Sequence, residues 1–258
     1  MSMTRSFKNQ IEFIAFISLC LIFYNEFAVY WISYMSWPAR HTTHVHVNKT
    51  TNTNDKPVTF LLVADPQLIG ENDEFYGWLA RWDSDRYLKN SYLLANSFVK
   101  PDATIYLGDL FDEGLKASNE QYERYFKRFN SIFQCEKMSQ VNGIKQIYIP
   151  GDNDIGGEYF GDRNDKLADR YEKYFGPSVG VLGLKSYIDL ITLDLDYTVS
   201  FYNSVKRNHV LPLLNKYKEK IKSENVKAPS NRYTVLINHV SLVRRDEREL
   251  NMVICCFF

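Results

Sequence analysis

The sequence predicts an α/β domain set behind an N-terminal transmembrane helix. Three observations carry this. Short apolar runs recur from Val58 onward, and each closes on an acid or a histidine. Stretches with apolar residues at helical spacing separate the runs. Ahead of both lies a segment, residues 13–37, apolar and long enough for a bilayer.

In that first segment, residues 13–24 read FIAFISLCLIFY, Asn25 and Glu26 interrupt, and FAVYWISYMSW continues to Trp37. The interruption carries a free-energy cost on insertion scales. Aromatic residues crowd the second half, as at a membrane interface. Arg5 and Lys8 precede the run, so the positive-inside bias places residues 1–12 in the cytosol as a short tail. A signal anchor over 13–37 is the favoured reading. A cleaved signal peptide lacks its small-x-small site here, and a buried soluble helix is the third alternative. Residues 38–57, PARHTTHVHVNKTTNTNDKP, are polar and read as a stalk. Its sequon, Asn48-Lys49-Thr50, accepts a glycan if that side is lumenal or extracellular. His41, His44 and His46 read as solvated residues rather than a metal site.

Residues 58–258 are then left for the domain, a length that supports one sizeable core. Zero formal net charge gives no electrostatic reason to expect nucleic acid as a partner. Aromatics at 15% argue against disorder over most of the length. Cys20, Cys135, Cys255 and Cys256 show no CxxC spacing, so neither a zinc knuckle nor a thioredoxin-type motif is supported. A disulfide from Cys135 to the tail is the less favoured alternative to free thiols.

The strand candidates follow in order. VTFLLVAD ends in Asp65, ATIYLGD in Asp109 and KQIYIPGD in Asp152. SYIDLITLDLD carries Asp194 and Asp196, and RYTVLINH ends in His239. Continuous apolar runs of this length read as strands buried on both faces. Between them, residues 83–99 place Leu88, Tyr92, Ala95 and Val99 on a helical stripe that stops before Pro101. Residues 118–134 do the same with Tyr122, Phe126, Phe129, Ile132 and Phe133. Both stripes read as core. The run KYKEKIKSENVK, 216–227, reads as a solvated helix face and its exit loop.

In such sheets ligands sit beyond the carboxyl ends of the strands, where Asp65, Asp109, Asp152 and His239 would meet. Facing carboxylates repel one another unless a cation lies between them. An oxygen-and-nitrogen donor set of this kind suits Mn²⁺, Fe²⁺ or Zn²⁺. Two such ions close together would stabilise both the attacking and the leaving oxygen of a phosphoryl transfer. The competing reading is that each Asp only caps a following helix. It suffices for one Asp and weakens over three successive strand ends plus a histidine.

The stretches ADPQLIGE (64–71), GDLFDEG (108–114), GDNDIGGE (151–158) and INHVSLVRR (237–245) together resemble a family signature. The family is the calcineurin-type metallophosphoesterases. Their signature runs Asp-x-His, Gly-Asp with a second Asp nearby, Gly-Asn-His-Asp/Glu, a lone His and Gly-His-x-His. GDLFDEG and DIGG are most similar to the membrane-anchored branch that trims ethanolamine phosphate from GPI-anchor glycans. The resemblance covers residues 58–245. It implies a metallophosphoesterase-type β-sandwich flanked by helices (α/β/β/α) and two divalent metal ions, Mn²⁺ first, with Fe²⁺ or Zn²⁺ as alternatives. It also implies a metal-dependent phosphodiesterase acting on GPI-anchored protein glycans. The protein would be single-pass in the endoplasmic reticulum or Golgi membrane, with its catalytic domain lumenal, and would aid ER-to-Golgi transport. A cargo receptor is the possible protein partner.

Carried over residue by residue, the resemblance makes Asp65 a first-metal ligand, with Gln67 where His is usual. Asp109 is the bridging carboxylate, with Asp112 behind it or capping locally. Asp152 stands for a metal-binding Asn, and His239 is a second-metal ligand. Asn153 stands where a His normally protonates the leaving group, which an amide cannot do near neutral pH. Asp154 matches the acid that orients that His. Arg244 and Arg245 are candidates for the substrate phosphate. Pro66 is expected to hold Asp65 in an extended backbone. No Gly-His-x-His follows His239. That leaves five candidate ligands and predicts a C-terminally truncated domain with an incomplete second sheet and an unpaired edge. A non-catalytic family member that binds cargo is therefore the alternative reading, and a truncated isoform that does not fold stably is a third.

Overall fold

The computed structural model describes residues 5–37, 58–72, 77–156, 164–185, 188–193, 212, 215–219, 233–239 and 256–257. The stalk, the sequon at Asn48, Asp194, Asp196, Arg244 and Arg245 all lie outside them.

The N-terminal helix forms as expected, with one irregularity. Helix α1 (Arg5–Phe23) passes through a π-helical turn (Tyr24–Ala28) into α2 (Val29–Ser36). The irregular turn falls on Asn25 and Glu26, the polar break in the run. Glu26 forms an ion pair with Arg86, so the charge in the apolar segment meets a partner. Trp37 ends the helix in an extended conformation, which the following proline favours.

Three parallel strands make the first sheet. They are β1 (Phe60–Val63), β2 (Ala103–Leu107) and β3 (Lys145–Ile149), in that order. Helix α3 (Gly77–Val99) links the first two strands. Helices α4 (Asn119–Phe133) and α5 (Cys135–Asn142) link the next pair. Ser118 starts α4 by accepting from the Gln121 backbone N–H while the Gln121 side chain accepts from the Ser118 N–H. After β3 come the one-turn helix α6 (Asp152–Ile155) and α7 (Asp165–Phe175). The second sheet has the order β4 (Gly180–Lys185), β5 (Ile188–Leu193), β6 (Tyr233–Asn238) and β7 (Cys256–Phe257). Strands β5 and β6 are parallel, and the outer pairs are antiparallel.

Alternation along the strands divides the core. Ala103, Ile105, Ile147 and Ile149 turn to one face and pack on Ile188, Leu190 and Ile237 of the second sheet. Tyr106 and Tyr148 turn to the other and join Tyr92, Phe129, Phe133 and Tyr171 from the helices. On the far face of the second sheet, Ile191 and Leu193 meet Tyr217 from the helical stretch 215–219. The predicted stripe over 118–134 is core through Tyr122, Phe126, Phe129, Ile132 and Phe133, and the one over 83–99 packs there through Leu88 and Tyr92, with Ala95 and Val99 only partly buried outside the cluster. Cys135 is a buried free thiol rather than half of a disulfide. The second sheet is incomplete, as expected: Cys256 and Phe257 pair with Val235 and Thr234, and among the described residues no strand pairs with the rest of that edge of β6.

Phe129 touches Tyr106, Phe111, Phe133, Tyr148 and Phe175. Phe129→Ala is expected to cost about 3–5 kcal/mol, since five rings cannot all close the cavity. Urea unfolding of the full chain in detergent measures it; a loss no larger than that of a surface substitution would remove Phe129 from the centre of the core.

Candidate metal centre

The site grows from the loops that leave the three parallel strands. Backbone hydrogen bonds tie the first loop to the second, from Gln67 N–H to the Asp109 carbonyl (2.9 Å) and from Leu68 N–H to the Leu110 carbonyl (3.1 Å). Asp112 is exposed, and its N–H donates back to the Leu68 carbonyl. The turns are tight enough to force left-handed backbone at four positions: Asp65 (φ +44°), Gln67 (+38°), Gly108 (+91°) and Asp109 (+50°). This corrects the expected extended conformation of Asp65. The pull of Pro66 is overridden by the bonds that hold Gln67 and Leu68 to the second loop. Non-glycine residues with positive φ cost free energy and persist where surrounding structure over-determines them, often at functional sites.

His239 arrives from the other sheet, at the end of β6. Its Nδ1 lies 2.6 Å from the Leu107 carbonyl, so Nδ1 carries the proton and donates to it. Nε2 then faces the acids, 3.5 Å from Asp152 Oδ1 and 3.7 Å from Asp109 Oδ1. An imidazole fixed by a backbone carbonyl on one nitrogen and free on the other is arranged as a metal ligand. Asp65, half exposed, completes the group. Asp65, Asp109 and His239 each bring a ligand atom within 4.8 Å of the others. Among the described residues this is the group that forms, and Asp152 borders it.

The electrostatics fit a cation. Burial, together with the neighbouring Asp109 charge, raises the pKa of Asp65, against the pull of His239. Asp152 is raised by burial and by Asp109, again against His239. Burial disfavours the imidazolium of His239, yet the Leu107 carbonyl and the three acids outweigh it and raise its pKa. Three acids crowded around one imidazole make an uncompensated negative site, with hard oxygen donors and one nitrogen. A divalent ion matches that donor set in charge and in ligand type.

The remaining candidates divide. Gln67 turns its amide nitrogen, not its carbonyl, to Asp109 Oδ2 (3.3 Å), so as a ligand it would have to turn over. Asn153 donates its side-chain amide to the same oxygen (2.8 Å) and its backbone N–H to Asp109 Oδ1 (3.0 Å). Asp154 is fully buried and accepts from the backbone N–H groups of Gly151, Leu110 and Phe111. Its contacts are those of a staple between two loops rather than of an orienter for residue 153. Burial pushes its carboxyl up to about 7, against the three N–H groups that favour the charge.

Two contributors escaped the sequence reading. Glu113, buried, accepts from the Tyr125 hydroxyl (2.9 Å) and the Asn72 amide (2.8 Å), pinning the first loop to α4. Gly108 leaves room for His239, because a Cβ there would run into the imidazole ring. The Gly-Asp pair at 108–109 was the available signal for Gly108; Glu113 had none.

Gly108→Ala adds roughly 1–2 kcal/mol of left-handed backbone strain and displaces His239, so metal affinity is expected to fall while the fold persists. Isothermal titration with Mn²⁺ checks it, and unchanged affinity would contradict the packing of His239 on Gly108. For Asp154→Asn we expect a loss of about 1–3 kcal/mol, because an amide cannot satisfy three N–H donors. The sign with pH follows from a folded pKa raised above 3.8, the ordinary value, to about 7. The protonated carboxyl contributes stability that is full below the unfolded pKa and is lost as pH rises through the folded one. In chelator, the advantage of Asp over Asn should therefore shrink between those two pH values. A flat difference would disprove the raised pKa.

Residues 58–254 match the calcineurin-like phosphoesterase family. Among curated proteins, a Metallophosphoesterase 1 homolog of Caenorhabditis elegans is 24% identical over 240 residues, covering 92% of this chain and 58% of the relative. Metallophosphoesterase 1 of Xenopus laevis is 31% identical over 166 residues, 64% of this chain and 37% of the relative. Cell division control protein 1 of Saccharomyces cerevisiae is 29% identical over 142 residues, 52% of this chain and 28% of the relative. The chain thus matches from under a third to just under three-fifths of the length of these relatives. The match takes in every strand end that feeds the metal centre, and it identifies this chain as a member of the calcineurin-like phosphoesterase family.

Proposed function

We propose that this chain is a membrane-anchored, metal-dependent phosphoesterase acting on a phosphodiester. The observation that carries the reading is the convergence of Asp65, Asp109 and His239 within 4.8 Å, with Asp152 beside them. These four residues would hold the metal. Bound there, a divalent ion supplies positive charge for the phosphate oxygens and lowers the pKa of water. Asp109, at the centre, keeps its geometry through Asn153 and Gln67. His239 keeps Nε2 turned inward because Leu107 holds Nδ1. Mn²⁺ is the proposed metal, and the site is proposed to take two ions.

The proposed substrate is ethanolamine phosphate on a GPI-anchor glycan. The proposed setting is the lumenal side of the endoplasmic reticulum or Golgi membrane, in support of ER-to-Golgi transport, with a cargo receptor as a possible partner. The relatives named Metallophosphoesterase 1 and the apolar helix from Phe7 to Ser36, which is long enough to cross a membrane, support this reading.

A second reading, of a non-catalytic cargo-binding protein, has one observation in its favour. Asn153 spends its amide on Asp109 and offers no proton to a leaving group.

Asp109→Asn is expected to abolish hydrolysis of an activated phosphodiester and to reduce bound Mn²⁺, with chelation of the wild type giving the same loss. Full activity and metal content in Asp109→Asn would end the metal-centre reading. Bound metal without turnover in the wild type would leave the cargo-binding reading.

A further inference from the structure

The loop that carries Asp65 and Gln67 is held at both ends. At the near end, the Gln67 and Leu68 N–H groups donate to the Asp109 and Leu110 carbonyls, and Leu68 is fully buried. At the far end, each residue from Ile69 to Asn72 is bound by a side chain from outside the loop. Arg128 of α4 donates to the Ile69 carbonyl (2.6 Å), and Arg81 of α3 donates to the Gly70 carbonyl (2.9 Å). The Tyr125 hydroxyl accepts from the Glu71 N–H (2.7 Å), and Arg124 pairs with the Glu71 carboxylate. Glu113 accepts from the Asn72 N–H (3.2 Å) and from the Asn72 side-chain amide (2.8 Å).

Glu113 is the centre of this clamp. It is only 6% exposed, and it also accepts from the Tyr125 hydroxyl (2.9 Å). The two groups that take up the Glu71 and Asn72 N–H donors therefore hold each other. Gly70 makes room for the arrangement, because a Cβ there would collide with the Glu113 carboxylate. Glu113 also follows Asp109 by four residues, so it ties the Asp65 loop to the Asp109 loop beyond the two backbone bonds.

A carboxylate buried among neutral donors is costly, and apolar side chains would join the helix to the loop at least as firmly. Helix α4 is already fastened to the sheet through Phe129, Tyr106 and Tyr148. Hydrogen bonds supply what apolar packing does not, a fixed direction for the backbone groups they hold. The residues just upstream need it. Asp65 and Gln67 are left-handed, a conformation that persists only while the surroundings impose it.

We propose, resting on the reading of Asp65, Asp109 and His239 as a metal centre, that Glu113 is a positioning residue for that centre: it fixes the Asp65 side before an ion arrives and so favours a smaller divalent ion over a larger one. The hydrogen bonds of Glu113 go to Asn72 and Tyr125 rather than to a ligand, and its effect on Asp65 runs through the loop. Held in this way, Asp65 keeps a ligand atom within 4.8 Å of those of Asp109 and His239. Ca²⁺ takes oxygen ligands at about 2.3–2.6 Å in flexible geometry and loses little when the loop loosens. Mn²⁺ is smaller and loses more.

The full chain in detergent, stripped of metal by a chelator, is titrated calorimetrically with Mn²⁺ and separately with Ca²⁺. In Glu113→Gln the new amide nitrogen faces a donor of Asn72 whichever way it turns. Tyr125→Phe removes the hydroxyl that joins Glu71 to Glu113. Each variant is expected to weaken Mn²⁺ binding roughly tenfold, at the lower end of the effect of groups that orient metal ligands, and to leave Ca²⁺ binding nearly unchanged. Ile132→Val, in the same core and without a bond to the loop, should lower stability and keep the wild-type preference. If Glu113→Gln does not fold, Tyr125→Phe decides. Wild-type preference for Mn²⁺ in the clamp variants overturns the proposal, and so does an equal loss of both ions. A shift of the same size in Ile132→Val overturns it too, since a loosened core would then be the cause. If the wild type binds neither ion, the metal-centre reading fails and takes the proposal with it.

Discussion

The carboxylate of Asp109 lies where the loops and both sheets meet. It accepts from Gln67 on the first loop and twice from Asn153 on the third, and it faces His239 from the second sheet. Each contact fixes a different element against the same two oxygens. Such an arrangement is electrostatically costly, because Asp65 and Asp152 stand close by with like charge. The left-handed backbone at Asp65, Gln67 and Asp109 adds further cost. The core under the site offsets it. Two packed sheets and an aromatic layer of helices hold the strand ends in place, whether or not the loops above them are at ease.

That division explains what was legible in the sequence. The strand ends at Asp65, Asp109, Asp152 and His239 could be read because a buried strand writes its own apolar run and the chemistry comes directly after it. The aromatic stripes of α3 and α4 could be read for the same reason, as one-sided periodicity. Strand β4 could not. GVLGLK carries two glycines and lies at the rim of its sheet, where little packing dictates its composition. Helix α7 hides behind charge, since DKLADRYEKYF shows its apolar side only once Ala168 and Tyr171 are known to be buried. The role of Asp154 was out of reach for a different reason. Two of its three partners are backbone N–H groups more than forty residues away, and no residue type records them. The same holds for Asp65, whose φ is decided by the second loop and not by its neighbour Pro66.

The two amides at the site bear on how it would work. Gln67 and Asn153 are amides and carry no charge. Both point N–H groups at Asp109 and hold its carboxylate in place. A carboxylate held in place is a good metal ligand. It is not a proton source, and neither amide supplies one. The arrangement therefore suits metal binding more plainly than leaving-group protonation. A substrate whose leaving group needs little protonation would suffer least from the difference.

The N-terminal helix and the site are linked through α3. Glu26 in a bare transmembrane helix would be a buried charge without compensation, and the sequence alone can only count it as a cost. Against Arg86 it becomes part of an ion-pair row that ends in Asp83, with tryptophan rings on the same side. The polar break in the apolar helix is thus the place where that helix grips the domain. The gripping helix is also the one whose first turns hold the Asp65 loop, through Arg81 and Gly70.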